Sequence, residues 1–201
     1  MRRSPLEDFE RIGGSGISAA AAQSATDATL AARLNLLTVG EEVMPREWAT
    51  AEDRPVSGTV YFSYFTARKT ETITKMQVGT SGTAATGTTL ARIGVYSTNG
   101  TTLTLINAST NDTALWSATY TPYQKAFSAS FSKVAGTRYA FALLFVGTGG
   151  ATMECAPIRY QSADQAPRIQ GELAAQADLP ASQAESGLQT GYRRFQGIFL
   201  P

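Results

Sequence analysis

The chain has 201 residues, 43% of them hydrophobic and only 16% charged, with a formal net charge of +1. That balance leaves no electrostatic footprint for nucleic acid or an anionic membrane, and so few charges imply that partners cover part of the surface. There is no histidine and a single cysteine, Cys155, which removes the commonest general base, the Ser-His and Cys-His pairs, an internal disulfide and any cysteine-built zinc site. The expectation is a protein that is not an enzyme and carries no cofactor or metal.

Residues 1 to 16 mix charges with Gly13-Gly14-Ser15-Gly16 and read as an arm that cannot order itself alone. Acidic residues stand where a secretion signal needs an apolar run, and no run reaches transmembrane length. From Ser18 to Leu37 the sequence is alanine-rich, with Leu30, Leu34 and Leu37 at helical spacing and Gly40 as a stop, which predicts one helix. Its apolar stripe is thin, so it needs a partner surface, either its own domain or another subunit. Glu41 to Pro55, broken by Pro45 and Pro55, reads as a linker. The expected organisation is an anchoring segment over 1–55 and a β domain over 56–201.

Beyond Gly58 short β-rich runs alternate with Gly, Thr, Asn and Pro, the texture of an antiparallel β-sandwich or jelly roll. The predicted strands are Thr59 to Phe65, Glu71 to Val78, Leu90 to Ser97 and Thr102 to Ala108, with Asn99-Gly100 turning a hairpin between the last two. Lys125 to Phe131 follows, with Phe127, Ala129 and Phe131 inward. Thr137 to Gly147 is the organising strand, apolar on both alternating sets: Tyr139, Phe141, Leu143 and Phe145 on one face, Ala140, Ala142, Leu144 and Val146 on the other. Met153 to Tyr160 is a further strand and Gln161 to Gly191 a long loop. Tyr192 to Leu200 closes the sheet, with Phe195 and Phe199 on one face.

The Gly-rich stretch Gly79 to Thr89 lacks the lysine of a phosphate-binding loop and reads as a plain β-β connection. The carboxylates Glu71, Asp112, Glu154, Asp164 and Glu172 form no pair of the kind glycoside hydrolysis needs. In the loop-like stretch from Asn111 to Tyr123, Asp112, Trp116, Tyr120 and Tyr123 are candidate glycan-binding residues, because exposed rings stack on sugar faces; the plainer reading, that Trp116 and Tyr123 pack at strand ends, is the favoured one. Ile169, Leu173, Leu179 and Leu188, together with Leu30, Leu34 and Leu37, are candidate assembly contacts that symmetric copies would bury, a trimer being favoured.

Met44-Pro45-Arg46, Gly58 to Ala67, Ala91 to Tyr96, Val134 to Tyr139, Ala166-Pro167-Arg168 and Asp178-Leu179-Pro180 occur in an order that resembles minor structural proteins of tailed bacteriophages. The resemblance spans about residues 44 to 201 and rests on framework positions. It implies a virion protein, of tail, fibre or head-decoration type, with an exposed β-sandwich, other virion proteins as partners and no catalytic residue. A cell-surface glycan is the expected ligand if the protein serves host attachment.

Overall fold

The structure is a computed structural model that describes residues 40–157, 166–191 and 193–201. Its centre is the strand β8 (Arg138–Val146), whose two side-chain rows face two different hydrophobic clusters. Phe141, Leu143 and Phe145 enter the larger cluster, while Ala140, Ala142 and Leu144 enter the smaller one. A strand with no polar row is stable only inside a sheet covered on both sides, and β8 sits there.

Among the described residues the fold is mainly β, with antiparallel sheets that curl into a half-barrel. The six-stranded sheet holds β8, β3 (Thr59–Thr66), β5 (Leu90–Thr98), β6 (Thr102–Ala108), β10 (Gln170–Leu173) and β11 (Ser182–Ala184), in the order β10-β3-β8-β5-β6-β11. A four-stranded sheet is ordered β1-β13-β4-β7, from β1 (Glu41–Glu42), β13 (Ile198–Leu200), β4 (Glu71–Gly79) and β7 (Pro122–Lys133). The third sheet is β12-β9-β2, from β12 (Arg193–Phe195), β9 (Met153–Pro157) and β2 (Ala51–Asp53). All three contribute to the larger cluster, through residues such as Phe141, Met76, Phe199 and Cys155. Aromatic pairs bridge them: Phe65 meets Phe199 at 4.9 Å and Tyr61 meets Phe195 at 5.0 Å between ring centroids.

The hairpin at Asn99-Gly100 forms as expected. Gly100 takes φ +89°, and the Asn99 side-chain oxygen accepts the backbone N–H groups of Thr101 and Thr102. Four expectations need correction. First, residues 41 to 55 are not merely a linker: β1 pairs with β13 and β2 with β9. Pro45 falls between these short strands and Pro55 after the second, where no ladder bond is lost. The boundary between the two compact units of the chain lies at Val39/Gly40.

Second, the long ordered loop expected over 161–191 contains regular structure over its described residues, 166–191. It supplies β10, β11 and a short 3-10 turn (Glu185–Gly187), and it covers the outer face of the six-stranded sheet. Leu179 and Leu188 are buried there against their own chain, with Leu173 partly buried beside them and Ile169 half-buried, so their burial requires no second subunit. Two glycines make the seats: a Cβ at Gly94 would lie 2.8 Å from Leu179, and one at Gly171 2.8 Å from Leu188. Bonds from Tyr96 Oη to the Pro180 carbonyl (2.8 Å) and from Arg92 to Asp178 (2.6 Å) pin the segment down.

Third, the closing strand is two strands in different sheets, divided at Gln196-Gly197; Phe195 and Phe199 still share one cluster. Fourth, Ala129 is exposed, because the β4–β7 register shifts between Ile73 and Lys75 and bulges β7 outward. Asn107 of β6 receives that bulge, accepting the Ser128 hydroxyl and donating to the Ala129 carbonyl. The strand expected over 153–160 is described to Pro157. The helix over 18–37, with Leu30, Leu34 and Leu37, lies outside the described residues.

Candidate functional site

The connection from β6 to β7 carries three of the four glycan-binding candidates, Asp112, Trp116 and Tyr120, and the start of β7 carries Tyr123; the structure separates them. Asp112 begins a turn: its carboxylate accepts the Ala114 N–H at 3.0 Å and the Lys125 ammonium at 2.9 Å. That ammonium, helped by backbone N–H groups and opposed by burial, holds the carboxyl below its ordinary range. Trp116 is fully buried in the larger cluster, with left-handed backbone at φ 68°, so its ring cannot stack on a ligand. Tyr123 is half-buried, and its hydroxyl accepts the Ala118 N–H at 2.6 Å, which gives it a part in holding the loop. Tyr120 alone stands out, 78% exposed on left-handed backbone at φ 49°.

Tyr120 overhangs a cleft of about 280 Å³ that Arg46, Gln77, Thr80, Glu154 and Gln196 also line. Its base is firmly held. The Tyr120 N–H donates to the Ser81 carbonyl at 3.0 Å, and the next residue is clamped to Thr80 by reciprocal bonds: Thr80 N–H to the Thr121 carbonyl (3.0 Å) and Thr121 N–H to Thr80 Oγ1 (3.1 Å). Thr80 Oγ1 in turn donates to the Ala118 carbonyl at 2.7 Å. The strained conformation therefore persists because neighbouring bonds over-determine it.

The floor is Gln196, in the break between β12 and β13. Its backbone N–H donates to the Glu154 carbonyl at 3.1 Å, which fixes the residue against β9. The residue is only 8% exposed, and neither amide atom has a hydrogen-bond partner among the described residues. Native folds pair nearly all such atoms. On the walls, Gln77 accepts the Gln124 side-chain amide at 3.1 Å, Arg46 pairs with Glu42, and Glu154 is exposed opposite Glu52 in the β2–β9 register.

Sequence reasoning found Tyr120 and missed Gln196, Gln77 and Arg46 because strand pairing, not spacing, assembles them. The one signal was a lone glutamine inside the apolar run from Phe195 to Leu200. Of the other chemical candidates, Asp164 lies outside the described residues and Glu172 sits in β10 opposite Tyr61. Burial, and then the charge of Glu52, pushes the Cys155 thiol up to about 11, which makes it a poor nucleophile. Glu71 pairs with Lys69 and Lys133. Among the described residues no three His, Cys, Asp or Glu side chains converge as metal ligands. No protein-family model and no curated protein matches the chain.

Proposed function

We propose that the protein is a structural component of a tailed-phage virion, docked through its N-terminal segment and presenting the β unit as a jelly-roll-like sandwich. The observation that carries this reading is where the residues of the resemblance fall. Gly58 to Ala67 runs along β3, Ala91 to Tyr96 along β5, Val134 to Tyr139 forms the turn into β8, and Asp178 to Pro180 anchors the covering segment. These are the positions that make the scaffold, which is what a likeness between structural proteins would preserve. The sandwich reading draws support from residues of the six-stranded and four-stranded sheets sharing one cluster.

In this proposal Leu30, Leu34 and Leu37 of the separate unit 1–39 make the docking contact, with head or tail proteins as partners. Self-association, with a trimer favoured, would use exposed apolar residues such as Trp48, Val56 and Val134 rather than the buried Leu179 and Leu188. The protein has no catalytic role in this reading. Purified particles probed with antiserum to the protein should contain it at a fixed copy number. Its presence in the lysate with absence from particles would refute the assignment. The alternative, an adhesin for a host glycan, is favoured by the exposed Tyr120 ring over a polar cleft. A polysaccharide-degrading enzyme would show saccharide turnover that Glu154→Gln abolishes.

A further inference from the structure

We infer that the Tyr120 cleft is a binding site for a neutral saccharide, with the Tyr120 ring against a pyranose face and the Gln196 amide, buried behind the lining in this structure, turning out to bridge adjacent hydroxyls. Gln196 is more than nine-tenths buried, lines the cleft, and has a donor and an acceptor that no group among the described residues satisfies. A leucine or methionine there would extend the apolar run of Phe195, Ile198 and Phe199, so the glutamine is kept at a cost to the fold. An amide presents one acceptor and two donors in a plane, and neighbouring sugar hydroxyls, each able to donate and accept, complement it.

Tyr120 is independent of that observation. It is the most exposed of the large apolar side chains described, held on left-handed backbone by bonds on both sides. Gly82 gives the ring room: a Cβ there would stand 3.3 Å from the Tyr120 hydroxyl oxygen. An aromatic face stacks on the C–H face of a pyranose as on other apolar surfaces. Gln77 and Glu154 add polar groups at the walls. The charge points to a neutral ligand, because Arg46 is already paired with Glu42 and an anionic ligand would meet Glu154. A cleft of about 280 Å³ suits a mono- or disaccharide unit.

The inference deepens the adhesin reading but needs neither a virion nor a host cell, so binding by the isolated protein and incorporation into particles can fail separately. The test is saturation-transfer NMR on the full chain with glucose, galactose, mannose, rhamnose, N-acetylglucosamine, lactose and cellobiose at millimolar concentration. At least one should receive saturation. Tyr120→Ala and Gln196→Leu should each weaken its binding by about tenfold or more, and Trp48→Ala, an exposed aromatic outside the cleft, should not. Gln196→Leu should melt no lower than the native protein, which separates lost binding from lost folding. Transfer to none of the sugars, or undiminished transfer in either cleft variant, would overturn the inference.

Discussion

Trp116 and Tyr120 both hold left-handed backbone, yet one is fully buried and the other mostly exposed. The conformational cost, about 1–3 kcal/mol for a non-glycine residue, is offset for Trp116 by burial of a large ring in the main core. For Tyr120 it is offset only by the bonds around Thr80 and Ser81. Truncation should therefore separate them: Trp116→Ala is expected to cost about 3–5 kcal/mol, and Tyr120→Ala less than about 0.5 kcal/mol, read as shifts in urea midpoint. Asp112 gives a pH prediction. Its folded pKa lies below the unfolded value of about 3.9, because Lys125 favours the charged form. The stabilisation is thus present above that unfolded value and is lost as pH falls through the folded one. Asp112→Asn should lower stability at neutral pH by less than about 1 kcal/mol, since the pair is partly exposed. The gap between variant and native protein should close in acid unfolding titrations.

At the scale of elements, what could be read from sequence was local. β8 announced itself by apolar character on both rows, β3 to β6 by alternation between turn residues, and the hairpin by Asn99-Gly100. What could not be read depends on distant partners. The short β1 and β2 carry no pattern of their own and become strands only through β13 and β9. The covering segment from 166 to 191 has apolar residues too sparse for any periodicity, and their seats are made by Gly94 and Gly171. The candidate cleft divides in the same way, since an exposed tyrosine in a polar loop is legible but a glutamine buried in the break between β12 and β13, against β9, is not. Because Leu179 and Leu188 pack on their own sheet, Leu179→Ala and Leu188→Ala should each cost about 2–5 kcal/mol. Both variants should keep the oligomeric state of the native protein in light scattering, whereas a subunit interface built on these leucines would be lost with them.

At the scale of the whole molecule, the chain divides at Val39/Gly40, and one buried charge cluster holds the first residues of the β unit to the rest. Lys133, fully buried at the end of β7, pairs with Glu41 of β1, lies 3.2 Å from Glu71 of β4 and donates to the Lys69 carbonyl at 2.7 Å. Glu41 also accepts the Arg68 N–H at 2.7 Å, so it joins β1 to the turn after β3 as well. Such a cluster adds little net stability when complete, but removing one partner leaves a buried charge uncompensated, which costs about 3–5 kcal/mol. A 40–201 truncation keeps every member and should melt in one cooperative transition. A 56–201 truncation loses Glu41, leaves Lys133 buried with Glu71 alone and exposes the β9 edge that β2 covers. It should fall in stability by at least that amount or fail to fold, and Lys133→Met in the 40–201 background should reproduce much of the loss. Circular dichroism melts of the three proteins decide the point: equal midpoints for 40–201 and 56–201 would show that β1 and β2 merely rest on the sheets.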